Sequence, residues 1–548
     1  MALTAKDPNS NYRVARTIPF ELRQHCAIYF EEKLYSQALN LLINILTSGT
    51  AAHAPAYVPA PQLLALATTI LVHPSTTTRA KSKEEQEAAS LALQLLRLTL
   101  HLVGPVSAKF DVAFEFTHFA QSRHGGRRRG EDSASNGSTH DVDEIPLNLT
   151  LSKAGSLWSR AEDFWQAVGW AFNCSVLYPK RWERWQIWLE FMCYAIEDDW
   201  EQRENAADAQ QATAQPVTPS KRRDRALKES LLLKYLMAGS AGLGRNRRVL
   251  RAVFANGSAT SLSEFREVFN NELKDLPKES KKVNTKKRAE VNIDEDEYGD
   301  YLSDDEDPSE GQEENSERSR PKRPRLGTRA TKPTEDESSD KLVSDIYSNG
   351  GVATYGGFKS LALRKRLLIL LVQASTAVPK AFMPLSDLYH LFVENIRHLP
   401  LPIFQAFVSP TALPWSSADA HSTLCEILLW RIRESSGPQS QESLLNQKKL
   451  EECFLPYAAN NSTAVDNAKM SILLESLIFL LAQHDGLRNT AELREAVSTG
   501  NERRLDKAEA EIRRNKNSRK METIERSWLI ESADRLLYLV HDILPKED

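Results

Sequence analysis

The chain has 548 residues, which at roughly 150 residues per domain corresponds to three or four structural units. Hydrophobic residues make up 41% and charged residues 26%, so sizeable cores are expected along part of the length. The 22 glycines and 25 prolines exclude collagen-like and Pro/Gly-rich low-complexity chains, and the net charge of −4 excludes a global positive field that would draw the chain onto nucleic acid. Composition alone identifies neither a reaction nor a partner.

The five cysteines are widely spaced and form no C-x-x-C pair. This spacing argues against a disulfide framework or a cysteine-rich zinc site and favours a reducing compartment. The N-terminus lacks the apolar run of a signal peptide, and no stretch reaches the roughly 18 apolar residues of a membrane span. The most apolar stretch, residues 470–482, contains Glu475 and is predicted to be a buried helix. We therefore expect a soluble intracellular protein without membrane contact.

Composition also divides the chain into regions that differ in apolar content and periodicity. Helical regions show apolar residues three and four positions apart, whereas the linkers lack this period and are rich in polar residues and turn formers. The predicted regions are an N-terminal helical region (1–121), a linker (122–146), a tryptophan-rich helical region (147–274), a disordered linker with acidic and basic tracts (275–350) and a C-terminal helical region (351–548).

Strand signals are poor throughout, so an all-α fold is expected. Within the tryptophan-rich region, residues 202–221 form an Ala/Gln/Thr/Pro-rich interruption. In the last helix, 524–544, the apolar stripe is predicted to comprise Trp528, Ala533, Leu536, Val540 and Ile543.

Residues 20–47 are predicted to form two antiparallel helices. The run Tyr29-Phe30-(x4)-Tyr35-x-x-Ala38-Leu39 resembles a tetratricopeptide unit, in which a small residue lets paired helices approach closely. No second copy follows at a spacing of 34, and repeat stacks need at least about three units. The fold class predicted is an irregular helical stack, with a tetratricopeptide-like or HEAT-like stack as the alternative.

Tryptophan is the most unusual residue in its distribution, because seven of the ten lie between Trp158 and Trp200. A helix over 179–200 has an apolar face, which favours a central core helix over an exposed aromatic platform. Trp185 lies on this face, whereas Trp188 lies about 85° from its centre and is the candidate for partner binding. The W-x-x-W-x-x-W-L-E-F spacing also resembles the half-tetratricopeptide repeats of RNA-processing scaffolds. The members of the predicted face are Trp182, Trp185, Leu189, Met192, Ile196 and Trp200.

The sequence contains one partial match to a known ligand-binding motif. Residues 239–248 match the glycine spacing of a phosphate loop, but Arg245 and Asn246 replace its lysine and hydroxyl. Residues 239–248 fit the end of one helix, a turn and the start of a new basic helix better than they fit a phosphate loop. The new helix has an arginine-rich start, for which a solvated face is favoured over anion binding. No metal motif, H-E-x-x-H or G-x-S-x-G occurs, so we expect no enzyme activity, no metal and no cofactor.

The charged centre contains the clearest functional signals. From Asp294 to Glu317 there are 13 acidic residues in 24 and no basic one. This tract is interpreted either as a surface for a basic, histone-like partner or as a solubilising spacer. Basic clusters on both sides predict binding to a nuclear import receptor, and P-K-R-P-R resembles a nuclear localisation signal. The predicted import residues are Lys281, Lys282, Lys286, Lys287, Arg288, Arg320, Lys322, Arg323 and Arg325.

Two phosphorylation contexts accompany these clusters. Ser303 precedes four acidic residues, the setting preferred by casein-kinase-2-type enzymes. Thr218 precedes Pro219 and three cations in a cyclin-dependent-kinase consensus, where a phosphate would alter charge pairing.

These features together predict a nuclear, non-catalytic scaffold or adaptor subunit of a multiprotein complex. Chromosome maintenance, DNA repair or chromatin regulation is the expected process, and direct nucleic-acid binding is not expected to be the main activity. A helical-repeat factor in RNA processing or ribosome assembly is the first alternative, and an enzyme whose site forms only in three dimensions is the second.

Overall fold

A computed structural model describes residues 12–117, 147–211, 219–238, 242–274, 351–411, 417–440, 442, 445–484, 486–514 and 519–544. Helices dominate the described residues, which contain only two strands of three residues each, so the all-α prediction is confirmed. The three helical regions of the sequence form one compact unit.

The N-terminal part begins with two antiparallel helices, as predicted for residues 20–47. One short strand precedes these helices and another follows them, and the two pair in a parallel sheet that the sequence did not predict. The buried Arg13 stabilises this arrangement, because its guanidinium donates hydrogen bonds to the carbonyls of Leu46 (3.0 Å), Ser48 (2.6 Å) and Ala54 (2.7 Å), and so caps the end of the second helix. The elements are β1 (Ala15–Thr17), α1 (Phe20–Glu31), α2 (Tyr35–Thr47), β2 (Ala56–Val58), α3 (Pro61–Val72), α4 (Lys83–Val103) and α5 (Phe110–Ala113).

The central part is built around one helix of 33 residues, α8. It extends to Gln211, so the predicted interruption at 202–221 was placed too early: Ala, Gln and Glu have high helix propensity and continue the helix. Helices α3, α7, α9 and α10 pack against α8. The elements are α6 (Leu157–Arg160), α7 (Phe164–Leu177), α8 (Pro179–Gln211), α9 (Pro219–Lys228), α10 (Leu231–Met237), α11 (Leu243–Val253) and α12 (Ala259–Glu264).

The C-terminal part packs around α18, which contains the predicted buried stretch 470–482 and is contacted by α15, α16, α19 and α20. This confirms the prediction of a buried helix. Helix α13 also contacts α7, α8 and α11, and thus joins the two ends of the unit. The elements are α13 (Gly357–Ala377), α14 (Leu385–Ile396), α15 (Leu401–Val408), α16 (Ala418–Ile432), α17 (Gln447–Cys453), α18 (Ala464–Gln483), α19 (Ala491–Arg514) and α20 (Arg519–Tyr538).

The last apolar stripe differs from its prediction at both ends. Leu529 rather than Trp528 is buried, because residue 529 is in phase with Leu536 on an α-helix. After Tyr538 the chain forms a π-helical turn, Leu539–Ile543, whose wider period rotates Ile543 outwards to 54% exposure.

Candidate interaction site on the tryptophan-rich helix

The predicted apolar face of α8 is buried in the centre of the molecule. Its six members are each no more than 8% exposed, and Trp185 is completely enclosed. The core interpretation of this face is therefore confirmed. A helix that is apolar over more than half of its circumference can be packed by neighbours on two sides, and α7 and α3 both contact α8.

The prediction that Trp188 reaches a partner was wrong, because its side chain is also 0% exposed. Phe164 at the start of α7 lies 5.9 Å from Trp188 between ring centroids, and Trp185 lies edge-on at 5.4 Å. The flank of α8 is thus covered by α7. The indole N–H of Trp188 has no hydrogen-bond partner among the described residues. Burying this donor lowers the stability of the fold, and the packing of the indole against aromatic rings partly offsets that loss.

A buried ion pair fixes the start of α8. The Glu272 carboxylate accepts hydrogen bonds from Arg181 Nε (2.8 Å) and Trp185 Nε1 (2.7 Å), and from the backbone N–H of Phe269 (3.2 Å). Arg181 also donates to the carbonyl of Val72 at 2.7 Å. Because every partner is buried and hydrogen-bonded, this network joins α3, α8 and the chain after α12 in one geometry.

Helix α7 approaches its neighbours closely through Gly169. A Cβ atom at this position would lie only 2.3–2.7 Å from the ring of Phe265. Four residues along α7, the Asn173 amide donates to the carbonyls of Ser261 and Phe265 and accepts from the N–H of Gly257. The buried face of α7 therefore anchors the segment that contains α12.

Asp199 holds the second half of α8 in place. One carboxylate oxygen accepts from the N–H of Leu231, at the start of α10, at 2.8 Å, and the other accepts from Arg203 Nε at 2.9 Å. Burial raises the pKa of Asp199, while Arg203 and the Leu231 N–H oppose that effect. The carboxylate thus satisfies the backbone at the beginning of α10.

The described residues leave the opposite face of α8 half-buried or exposed along its length. On an α-helix with 100° per residue, its members lie within a stripe about 100° wide. Tyr194 at the centre of this stripe is 54% exposed. The stripe, here called the outer face of α8, comprises Glu183, Ile187, Glu190, Tyr194, Glu197, Asp198, Glu201, Asn205 and Asp208, all half-buried or exposed.

Arg366 of α13 fixes the orientation of Tyr194. Its guanidinium carbon lies 3.9 Å from the centroid of the Tyr194 ring, and its nitrogens form a bidentate ion pair with Glu197. Both contacts are typical of arginine, which stacks on aromatic rings and matches the geometry of a carboxylate. The exposed aromatic ring is therefore held rigidly on the surface.

Helix α11 contains the basic cluster that follows the loop tested as a phosphate site. Three of its four arginines pair with acidic side chains of the same chain, and Arg247 does so with Glu394 at 3.5 Å. Arg248 binds Asp163 and Glu162, and Arg251 binds Glu264 in a bidentate pair at 2.7 and 2.8 Å. The interpretation as a helix end, a turn and a basic helix agrees with α10 and α11, and the cluster is ion-paired rather than simply solvated.

Three further buried cations join helices to one another. Arg364 lies between the rings of Phe172 (4.0 Å) and Tyr355 (4.5 Å) and donates to the carbonyl of Val253 at 2.6 Å. Burial lowers the pKa of Arg364 to about 10. Arg504 donates to the carbonyl of Leu455 at 3.0 Å, and burial lowers its pKa to about 9.

The third cation, Lys365, donates to the carbonyl of Phe407 at 3.2 Å, and His421 binds the next carbonyl, Val408, at 2.6 Å. Both bonds cap the end of α15 from other helices. Burial is the main cause that lowers the pKa of Lys365 to about 7 and that of His421 to about 4. Of the three consecutive cations Arg364, Lys365 and Arg366, only Arg366 reaches the surface.

Several predicted sites lie outside the described residues. These are the nine import residues from Lys281 to Arg325, both modification sites, Thr218 and Ser303, and the acidic tract 294–317. They remain predictions.

Within the described ranges, no group of three or more His, Cys, Asp or Glu side chains could hold a metal ion. All five cysteines are buried free thiols, and burial raises the pKa of Cys193 and of Cys425 to about 12. None of the described helices is long and apolar enough to cross a membrane.

Comparison of the sequence with models of known protein families and with curated proteins finds no match.

Proposed function

We propose that this protein is a non-catalytic scaffold or adaptor subunit of a nuclear multiprotein complex, acting in chromosome maintenance, DNA repair or chromatin regulation. The observation that carries the proposal is that buried charged side chains hydrogen-bond to the backbone of other segments. Arg181, Arg364 and Arg504 each bond to backbone carbonyls of other segments. Such bonds keep helices in a fixed relative geometry, which is what a binding surface of a scaffold requires.

The outer face of α8 supports the same proposal from the surface side. A rigid exposed tyrosine stacked on an arginine is a residue pair enriched at protein–protein hot spots. A scaffold needs such preorganised contacts because they reduce the entropy lost on binding.

The nuclear part of the proposal rests on the basic clusters at 281–288 and 320–325, which would bind an import receptor. The acidic tract between them would attract a basic, histone-like partner. Neither property depends on a folded site, because short charged segments are recognised through their sequence.

Affinity purification of the tagged full-length chain from nuclease-treated nuclear extract, followed by mass spectrometry, tests the proposal. We expect a reproducible set of nuclear proteins in near-stoichiometric amounts. A variant with Trp185→Ala serves as a control, since unfolding of α8 should release partners of the helical unit.

Two outcomes would contradict the proposal. Ribosomal or spliceosomal RNA that co-purifies without nuclease, together with loss of all protein partners after nuclease treatment, would favour an RNA-processing factor. A protein recovered alone from every extract, with a turnover detected on a metabolite panel, would favour an enzyme.

A further inference from the structure

The outer face of α8 is long and acidic, and the described residues cover only its middle, where Arg366 contacts Tyr194 and Glu197 and where Tyr12 donates to Asp198. Glu183 and Asp208 lie 25 residues apart, so the face extends about 37 Å at 1.5 Å per residue. Six of its nine residues are acidic, and the exposed Lys180 lies in the same stripe just before Glu183, so the face has one basic residue at its N-terminal end. Four of these acids, Glu183, Glu190, Glu201 and Asp208, form no ion pair among the described residues.

Two of the three other residues of the face provide an apolar centre, in which Ile187 is half-buried against the core. Ile187 and Tyr194 are seven residues apart and therefore lie on the same side of the helix. Tyr194 is 54% exposed although Arg366 stacks on it, and Arg366 is neutralised by Glu197. Tyr194 lies between Glu190, which forms no ion pair among the described residues, and Glu197, which is paired with Arg366, so the face combines a hydrophobic anchor with a negative rim.

We infer that the outer face of α8 is the docking surface for a lysine- and arginine-rich segment of a partner protein. Charge complementarity selects this occupant: the four carboxylates without an ion pair among the described residues, spread over about 37 Å, attract Lys and Arg, whose methylene stems can pack on Ile187 and Tyr194. The same charges repel the phosphates of nucleic acid. The inference rests on the proposed scaffold function, to which it adds the surface and the chemistry of one partner.

Site-specific photocrosslinking of the full-length chain in cells tests the inference. A benzophenone amino acid replaces Tyr194, and a matched chain carries it at Tyr538, an exposed tyrosine of α20 (57%). Crosslinked peptides are identified by mass spectrometry. We expect position 194, and not position 538, to crosslink to Lys/Arg-rich peptides of a co-purifying protein.

Charge reversal on the outer face of α8 is the second part of this test. The change Glu183→Lys, Glu190→Lys and Glu201→Lys should reduce the crosslinked basic peptide about tenfold, because three favourable rim pairs become repulsive. The control changes are Glu87→Lys, Glu531→Lys and Asp534→Lys, which give the same net charge on exposed sites elsewhere and should leave the yield unchanged. Equal circular dichroism spectra of both variants show that folding is intact.

Crosslinks at position 194 to RNA, to a second copy of this chain or to peptides without excess Lys and Arg would overturn the inference. So would an absence of crosslinks at 194, or equal loss in both charge variants. If the protein still purifies with stoichiometric nuclear partners in those cases, the scaffold function stands and only the assigned surface fails.

Discussion

At the scale of single residues, this protein uses buried charge to set geometry. Glu272 accepts hydrogen bonds from Arg181 and Trp185, and both partners are almost completely buried. An uncompensated charge in such a place is far more costly than the intact pair is stabilising. Substitution of these residues is therefore expected to lower the free energy of unfolding strongly, although they lie far from any proposed binding surface.

The change Glu272→Gln tests this expectation, because it leaves the Arg181 guanidinium buried without a carboxylate. We expect a loss of about 3 kcal/mol in the free energy of unfolding, measured by urea denaturation. The control Glu531→Gln removes an exposed carboxylate on α20, far from this network, and should change stability by less than about 0.5 kcal/mol. Equal effects of the two changes would contradict the structural role of the pair.

His421 predicts a pH dependence. Its pKa is lowered from 6.5 to about 4 by burial and by Lys365, so the unfolded state binds more protons between these values. Stability from this group is therefore complete above pH 6.5 and is lost as the pH falls towards 4. At pH 5 the loss is about 2 kcal/mol relative to pH 7.

Urea denaturation at pH 7 and pH 5 measures this loss. The variant His421→Gln keeps a donor for the Val408 carbonyl but does not titrate, so it should lose less stability than the unmodified chain on going to pH 5. Identical losses in both proteins would show that other groups cause the acid sensitivity.

At the scale of elements, α8 has one face that packs in the core and one face that is proposed to bind a partner. Trp185 and its neighbours on the inner face are buried, whereas Tyr194 on the outer face is exposed. One helix thus couples the core of the molecule to the proposed docking surface, since the ion pair at its start and Asp199 near its end fix its position.

This division predicts different results for two truncations on the same helix. Trp185→Ala removes a fully buried side chain and its bond to Glu272, so it should lower the free energy of unfolding by about 3–5 kcal/mol and reduce soluble yield. Tyr194→Ala should leave the melting temperature nearly unchanged. Calorimetry measures the melting temperatures of both variants. An unchanged melting temperature for Trp185→Ala would contradict its buried position.

At the scale of the whole molecule, the helical unit and the charged tract at 275–350 carry separate proposed functions, assembly and import. The import prediction concerns residues that lie outside the described ranges, so it rests on charge pattern alone. It can be tested without disturbing the core of the helical unit.

Neutralising Lys286, Lys287, Arg288, Lys322, Arg323 and Arg325 to Gln should move a fluorescent fusion from the nucleus to the cytoplasm. Loss of contacts between these cations and an acidic receptor groove is the physical reason. Fluorescence microscopy measures the nuclear fraction. The control replaces six exposed cations of the helical unit, Lys33, Lys81, Lys83, Arg225, Lys228 and Lys359, and should stay nuclear. Nuclear accumulation of the first variant, or a cytoplasmic unmodified chain, would refute the import signals.

Local periodicity determined the helical class, the antiparallel pair at 20–47, the buried stretch 470–482 and the inner face of α8, because each depends on spacing within one helix. Tertiary structure decided the rest. Trp188 is buried because Phe164 of another helix covers it, and Glu272 pairs with a residue 91 positions away. Arg364 and Lys365 lie inside, although their cluster is typical of a surface, because aromatic rings and carbonyls of distant segments solvate them. No pattern along the chain reports which neighbour covers a flank, and this is the physical reason why the outer face of α8 could be recognised only in the folded molecule.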